Sequence, residues 1–386
     1  MPTYSRLPIC FSRGEGVRLW DTDGTSYLDA LGGIAVCILG HAHPELAEVI
    51  ADQARRLIHT SNLYRIEQQE RLGDRLCAIA GMEQAFFGNS GAEANEGAIK
   101  LARRYGHERG IESPSVIVTE GAFHGRTMAT LTATGNRKVQ AGFEPLVPGF
   151  RRVPFDDLEA VKQVAVHDPS VVAVMVEPIQ GEGGIRVPAP GYLPGLRRIC
   201  DENGWLLMLD EIQTGMGRTG RWFACQCQGV QPDVMTVAKA LGNGIPIGAC
   251  LARGPAAGVL GAGTHGSTFG GNPFACRVAL AVIDVLEKIE APARAEHQGV
   301  RILSGLDARL GDHPRIRSIR GQGMMLGVEM TEPCKELVSL ALEERLLINV
   351  TADNVIRLLP ALIYRDEDSD ELVESLVKTV DRYCGG

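Results

Sequence analysis

Short apolar runs alternate with helix-like segments through the first two thirds of the chain. Four runs of five or six residues are apolar apart from Ser115, Thr119 and Thr236, without regular alternation, and glycine or polar residues follow each of them. Strands buried on both faces have this composition, and they are typical of a mostly parallel sheet covered by helices. The pattern predicts strands at residues 115–119, 171–176, 205–209 and 234–238.

Further elements are predicted on both sides of these runs. Two short apolar runs flank a turn at residues 21–24, which predicts a β-hairpin within residues 16–31. Other patterns predict a strand at 84–87 and helices at about 44–57, 67–80 and 94–105. Beyond residue 273 the pattern predicts helices at about 274–290, 293–310 and 368–383, and strands at 316–320, 324–330, 346–350 and 355–359.

This order of elements predicts an α/β protein with three parts. Residues 1–45 are expected to join a small C-terminal domain, and residues 46–273 form a large domain around the buried sheet. Residues 274–386 form the smaller α+β domain, which begins with a long linking helix.

Composition narrows the class of protein. The chain has 386 residues, of which 45% are hydrophobic, so it can bury a sizeable core. A net charge of −8 with scattered basic residues argues against nucleic acid or a membrane surface as partner. Ten cysteines without a CxxC pair are typical of free thiols in a reducing compartment, and the N-terminus lacks a signal-peptide pattern. We therefore expect a cytoplasmic protein.

Two predicted strand ends carry complementary chemistry. The run 205–209 ends on Asp210, and the run 234–238 ends on Lys239. Ligands of open α/β sheets bind beyond the carboxyl ends of the strands, so the acid and the amine can face one cavity. A lysine that loses solvation there has a lowered pKa and can form a Schiff base with an aldehyde. Taken singly, Lys239 is better explained as a solvated lysine at a strand end, and Asp210 as a loop carboxylate; the two together favour a cofactor site.

The segment from residue 84 to residue 105 is a candidate phosphate site. It reads as a strand, a small-residue loop at Ser90-Gly91-Ala92 and the start of a helix. Free backbone N–H groups and the positive end of a helix bind anions at such a place, although a plain strand-to-helix turn has the same pattern. The loop has neither a Walker lysine nor a GxSxG nucleophile.

Together these parts meet the demands of pyridoxal 5′-phosphate. Lys239 can take the aldehyde, Asp210 can hold the protonated pyridine nitrogen, and Phe123 can stack on the ring. The competing interpretation is a dinucleotide site, since residues 215–220 fit GxGxxG, but no tight strand-to-helix turn surrounds them. A non-catalytic binding module would not need the buried lysine. His41 and His43 stand near no carboxylate or cysteine cluster, so we expect no metal.

Longer motifs resemble the class III (subgroup II) pyridoxal-phosphate aminotransferases. Within that class the chain is most similar to the acetylornithine, succinylornithine and ornithine aminotransferases, over nearly its whole length. The motifs that carry the resemblance are residues 89–95, 123–126, 177–184, 209–220, 239–242 and 265–273.

The resemblance implies the fold type I of these enzymes, with a seven-stranded mostly parallel sheet, a smaller C-terminal domain and a homodimer with shared active sites. It makes Lys239 the catalytic Schiff-base residue. The cofactor site that it implies consists of Gly91, Ala92, Phe123, Asp210, Glu211, Ile212, Gln213, Lys239 and Thr268. Many relatives have threonine where Ala92 stands, so only the backbone donor is expected at that position. Thr268 would reach the phosphate of the neighbouring subunit.

The resemblance also implies a substrate site. Arg126 would bind the α-carboxylate of acetylornithine or the side-chain carboxylate of glutamate, and Arg357 the α-carboxylate of glutamate. Glu182 would mask Arg357 when the ω-amine enters, and Ser267 would touch the substrate of the partner subunit. A surface ion pair is the other interpretation of each arginine.

The activity implied is transfer of the terminal amino group of N2-acetylornithine to 2-oxoglutarate. The products are N-acetylglutamate 5-semialdehyde and glutamate, a step of arginine biosynthesis. Succinylornithine, ornithine or another ω-amino acid as donor, or a decarboxylating enzyme on the same fold, remain alternatives.

Overall fold

The computed structural model describes residues 1–385. Its strands are β1 (Phe11–Glu15), β2 (Arg18–Asp21), β3 (Ser26–Asp29), β4 (Gln84–Gly88), β5 (Ser115–Thr119), β6 (Phe150–Val153), β7 (Val171–Val176), β8 (Leu206–Asp210), β9 (Val234–Val237), β10 (Gly248–Ala252), β11 (Ile316–Gln322), β12 (Met325–Met330), β13 (Leu346–Leu347), β14 (Asn349–Thr351) and β15 (Val355–Leu358).

The helices pack on both sides of the sheets and link them. In chain order they are α1 (Gly32–Ala35), α2 (Pro44–Arg56), α3 (Glu67–Ala80), α4 (Gly91–Glu108), α5 (Met128–Ala133), α6 (Arg137–Gln140), α7 (Leu158–His167), α8 (Tyr192–Asn203), α9 (Pro273–Lys288), α10 (Ala291–Leu310), α11 (Leu337–Glu343) and α12 (Asp366–Gly385). No helix among these residues is both long and apolar enough to cross a membrane.

The large sheet has seven strands in the order β4-β10-β9-β8-β7-β5-β6. Strand β10 runs antiparallel to both of its neighbours, and the other pairs are parallel. This confirms the predicted seven-stranded, mostly parallel sheet. Strands β5, β7, β8 and β9 are buried at every residue, which explains their largely apolar sequences. Because Asp210 pairs with Thr236, β8 and β9 end at the same edge of the sheet.

Two strands of this sheet were not predicted. β10 reads Gly-Ala-Cys-Leu-Ala, whose small residues have low strand propensity, and β6 carries two arginines in four residues. Both are strands because a neighbouring strand supplies hydrogen bonds along their length, which local sequence does not show.

A second, four-stranded antiparallel sheet forms the C-terminal part, in the order β11-β12-β15-β14. The predicted strand at 346–350 is two strands here. Leu346 and Leu347 pair with β3, whereas Asn349 to Thr351 pair with β15, so the chain leaves one sheet for the other at Ile348. The pairing of β13 with β3 joins the N-terminal hairpin to this half of the molecule. The domain boundaries at residues 45 and 273 stay predictions.

The GxGxxG segment does not form a dinucleotide-binding turn. Residues 215–220 make successive turns, in which Gly217 and Gly220 have φ of 92° and 93°, and a short 3₁₀ helix, Ala224–Gln228, follows. Within the segment the buried Arg218 donates to the carbonyls of Met324 and Pro360. The glycines therefore shape a connection that ties the large sheet to the C-terminal sheet.

Candidate active site

A cavity of about 390 Å³ lies where β8 and β9 end and α4 begins. Residues from the strand-end loops and from the start of α4 line it. Those that were predicted as site residues are Gly91, Ala92, Phe123, Arg126, Asp210, Ile212, Gln213 and Lys239. The parallel register brings together side chains that are more than 100 positions apart in sequence, as expected at the carboxyl edge of such a sheet.

Lys239 stands two residues after the end of β9, at the start of a short 3₁₀ turn, and its φ is 46°. A non-glycine residue with positive φ is strained, and such strain concentrates at functional sites. Burial lowers the pKa of the Lys239 amine to about 8, and the positive charge of Arg357 adds to the effect. Lys239 therefore has an appreciable neutral, nucleophilic fraction near neutral pH.

Asp210 is the last residue of β8 and is 4% exposed. Its Oδ2 accepts hydrogen bonds from Asn95 Nδ2 and from the His124 ring, both at 2.8 Å, and its Oδ1 accepts from the Ile212 N–H at 3.1 Å. The Asn95 side chain accepts in turn from the Thr236 hydroxyl at 2.7 Å. These bonds fix the carboxylate at the cavity wall.

Asn95 and His124 were not assigned roles from sequence. Both stand inside motifs that carried the family resemblance, but their motif position does not show that they hold Asp210. The Nε2 of His124 is buried and has no hydrogen-bond partner among residues 1–385. A bound group in the cavity is the natural partner for such an atom.

The start of α4 forms the candidate phosphate cradle. Ser90 caps the helix by accepting from the Glu93 N–H at 3.2 Å, and the N–H groups of Gly91 and Ala92 have no carbonyl one helical turn earlier. A Cβ atom at Gly91 would lie 2.7 Å from the terminal methyl of Ile212, so a larger residue there would displace that side chain from the cavity wall. At Gly125, with φ of 137°, a Cβ atom would lie 3.0 Å from the Ala92 methyl.

Glu177 supports the Phe123 loop. Its buried carboxylate accepts from the N–H groups of Phe123 at 2.9 Å and Gly181 at 3.1 Å. Burial raises the pKa of Glu177 to about 7. The residue was not predicted, although it stands at the end of a predicted strand, where an acid is a signal for a site.

Arg357 and Glu182 form an ion pair next to Gln213, which lines the cavity, but neither of the two lines it directly. Arg357 on β15 is fully buried, and its Nη1 lies 2.6 Å from Glu182 Oε1 and 3.2 Å from Gln213 Oε1. Its Nε donates to Asn349 at 3.2 Å, whereas its Nη2 has no partner in the described chain. Arg126 is exposed, lies with its guanidinium carbon 5.8 Å from the Phe123 ring centre, and makes no ion pair within residues 1–385.

Three predicted site residues lie away from this cavity. Glu211 was predicted to bind the cofactor, but its carboxylate is directed elsewhere. It is fully buried and accepts from the N–H groups of Ala224 and Cys225 at 3.0 and 2.9 Å. It therefore holds the 3₁₀ segment in place. Ser267 accepts from the Gly270 N–H at 2.9 Å, and neither Ser267 nor Thr268 lines the cavity of its own chain.

The cavity fits pyridoxal 5′-phosphate. It offers an amine with a lowered pKa, a buried carboxylate fixed by three donors, and free N–H groups at a helix start. Lys239 would hold the aldehyde, Asp210 the pyridine nitrogen, and Gly91 with Ala92 the phosphate.

Comparison with known proteins identifies the family of this chain. Residues 2–380 match the family Aminotransferase class-III. The chain is 58% identical to the acetylornithine aminotransferase of Nitrosomonas europaea over 97% of this chain and 95% of that protein, and 47% identical to that of Methanothermobacter thermautotrophicus over 97% and 95%.

The fold is also similar to solved structures of aminotransferases. The fold superposes on an ornithine aminotransferase from Toxoplasma gondii ME49 with a TM-score of 0.96 at 35% identity, covering 100% of this chain and 93% of that one. For the acetylornithine aminotransferase of Elizabethkingia anophelis the TM-score is 0.89 at 33% identity, covering 99% and 96%. The chain belongs to the class III aminotransferases, which are pyridoxal-phosphate enzymes.

Proposed function

We propose that this enzyme transfers the terminal amino group of N2-acetylornithine to 2-oxoglutarate in arginine biosynthesis. The observation that carries the proposal is the different state of two arginines near Lys239. Arg126 makes no ion pair within residues 1–385, whereas Glu182 neutralises Arg357 at 2.6 Å. Acetylornithine has one carboxylate and a distant ammonium, and it needs one free guanidinium and one masked one.

Pyridoxal 5′-phosphate supplies an aldehyde for the amino group and a pyridine ring that accepts electrons. Lys239, with its pKa near 8, holds and returns the proton that moves at the substrate carbon. Asp210, which Asn95 and His124 hold in place, would bind the protonated ring nitrogen.

The arginines orient the two substrates. Arg126 binds the carboxylate of acetylornithine in a bidentate manner, as its planar guanidinium allows. Release of Glu182 frees Arg357 for the second carboxylate of 2-oxoglutarate or glutamate. Glu182 can move at low cost because it is 36% exposed, while Arg357 stays fixed by Asn349 and Gln213.

Ornithine is the second candidate donor. It is favoured by the structural likeness to an ornithine aminotransferase, at a TM-score of 0.96. Acetylornithine is preferred because the relatives with the higher sequence identity, 46–58%, are acetylornithine aminotransferases. The free amino group of ornithine would also add a positive charge beside Arg126.

A homodimer with shared sites is part of the proposal. An apolar patch, formed by Leu57, Ile58, Leu63, Tyr64 and Phe269, is exposed next to the Ser267–Thr268 loop. The side chain of Asn62 joins the two segments by donating to the carbonyls of Ser267 and Gly270. An exposed apolar patch marks an interface, and a second copy seated there would receive Thr268.

We also place the enzyme in the cytoplasm. All ten cysteines are free, which suits a reducing compartment.

A half-reaction screen tests the activity. The visible absorbance of the enzyme-bound cofactor should be lost on adding acetylornithine and should return on adding 2-oxoglutarate, with succinylornithine and ornithine as parallel donors. Lys239→Ala should abolish both changes. Release of CO₂ from an amino acid, with no response to any ω-amine, would contradict the proposal and favour a decarboxylase.

A further inference from the structure

A second cavity, of about 480 Å³, lies beside the cofactor cavity. It lies between residues 121–139 of the large-sheet part and residues 335 and 350–353 of the C-terminal part. Phe123 and Arg126 line both cavities, so an occupant of the second cavity reaches the guanidinium at the boundary. No role in the chemistry at Lys239 has been assigned to this space.

The lining of the second cavity is positively charged, although the whole chain carries −8. Its cationic side chains are Arg126, Arg137, Lys138 and Lys335, and its acidic ones are Glu182 and Asp353. Both acids are already paired. Glu182 lies 2.6 Å from Arg357, and Asp353 lies 3.1 Å from Lys138 and 2.9 Å from Lys335.

Arg126 and Arg137 are thus left without a counter-charge. Neither side chain makes an ion pair or donates a hydrogen bond to any residue between Met1 and Gly385. Two unpaired guanidiniums on one cavity repel each other, and an anion with two carboxylates relieves that repulsion.

The backbone that carries Arg137 is firmly held. Arg137 begins the short helix α6, and the buried Gln140 at its end donates from Nε2 to the carbonyls of Leu131, Thr132 and Thr134 at 3.1, 3.2 and 2.7 Å. The position of Arg137 at the cavity is therefore built into the fold, and only its flexible side chain has to be ordered on binding.

We propose that the second cavity is a binding site for dicarboxylate anions, in which Arg137 holds one carboxylate and Arg126 the other. This site admits the dianionic 2-oxo acid before it turns into the cofactor cavity. The inference rests on the proposed function, because it takes 2-oxoglutarate as the acceptor. The site acts in only one of the two half-reactions, because acetylornithine has a single carboxylate and makes no use of Arg137.

Binding of glutarate, which has two carboxylates but no reactive oxo group, tests the site directly. By isothermal titration of the holoenzyme, Arg137→Gln should weaken glutarate binding roughly two- to fivefold at low salt, the size of one exposed charge contact. Arg137→Glu should weaken it further, and Arg137→Lys should restore most of it. Added salt should reduce the difference in glutarate affinity between Arg137→Gln and wild type. Butyrate, with one carboxylate, should bind equally to all variants.

The half-reactions give the second readout. Arg137→Gln should lower kcat/KM for 2-oxoglutarate by a similar factor and leave that for acetylornithine unchanged. The matched control is Arg309→Gln, an exposed arginine at the end of α10 that makes no ion pair within residues 1–385. Arg309→Gln should change neither the kcat/KM for 2-oxoglutarate nor that for acetylornithine.

The outcomes separate the two proposals. If wild-type enzyme does not respond to acetylornithine and 2-oxoglutarate, the proposed function is wrong. If wild-type enzyme responds but Arg137→Gln binds glutarate as tightly as the control does, or slows both half-reactions equally, the dicarboxylate site is wrong.

Discussion

Burial decides what single residues do at this site. Lys239 and Glu177 are ordinary titratable residues by type, and burial shifts the pKa of each towards its neutral form. Burial also makes Glu211 a structural residue, because its carboxylate is used by two backbone N–H groups and the Thr214 hydroxyl. Sequence showed which residue types stand at the strand ends, but it did not show which way adjacent acids point.

Uptake of the cofactor should depend on the protonation of Lys239. Because the pKa of Lys239 is lowered to about 8, the amine is mainly protonated below that pH and mainly neutral above it. At pH 7 about one amine in ten is then neutral, against fewer than one in a thousand for an ordinary lysine. The rate of pyridoxal-phosphate uptake by the apoenzyme should therefore rise with pH, reach half its maximum at about pH 8 and level off above about pH 9.

Arg357→Gln is the comparison for this measurement. Arg357 contributes to lowering the Lys239 pKa, so its removal should move the rise in rate to higher pH. A rate that is independent of pH between about pH 6 and 9 would show that the neutral amine of Lys239 does not limit uptake.

Elements position the site through one chain of hydrogen bonds. Asn95 on α4 donates to Asp210 on β8 and accepts from Thr236 on β9. The buried amide also donates to the His124 carbonyl at 2.8 Å, so three segments meet at one side chain. Helical and strand patterns predicted each element, whereas the register between them came from the fold.

Asn95→Ala should loosen this junction. It leaves the Thr236 hydroxyl and the His124 carbonyl without a partner, so the free energy of unfolding should fall by about 1–3 kcal/mol. Pyridoxal-phosphate affinity should also fall, because Asp210 loses a donor. Chemical denaturation and a cofactor titration measure the two effects.

Asn203→Ala is the matched control, since Asn203 donates to the Ile199 carbonyl at 2.8 Å outside the cavity. It should leave cofactor affinity unchanged. Equal cofactor affinity in Asn95→Ala and wild type would contradict the role given to Asn95.

At the scale of the whole molecule, the exposed apolar patch lies beside the Ser267–Thr268 loop, which does not reach the cofactor cavity of its own chain. Phe269 is 61% exposed, and its ring centre lies 5.5 Å from that of His59. A loop that does not line the cofactor cavity of its own chain, flanked by exposed apolar side chains, supports the proposed second copy.

Phe269→Asp should therefore break the dimer. Wild-type protein should sediment at twice the 41.5 kDa of one chain, and the variant should shift towards the monomer and lose activity in proportion. Circular dichroism checks that the monomer is folded. The control is Val166→Asp on α7, another exposed apolar residue, at 76%. Monomeric wild-type protein with full activity would refute shared sites.

The sequence by itself determined the class of fold, the order of most elements and the chemical types at the strand ends, because apolar periodicity and turn residues act locally. It also identified Lys239 and Asp210 as partners, since both follow buried strands. The tertiary structure decided what depends on contacts between distant segments. It paired β10 and β6 into the sheet, split residues 346–350 between two sheets, turned Glu211 away from the cavity and joined Asn95 and His124 to Asp210. It also left Arg126 and Arg137 without counter-charges on one cavity, because pairing and burial are properties of three-dimensional neighbours.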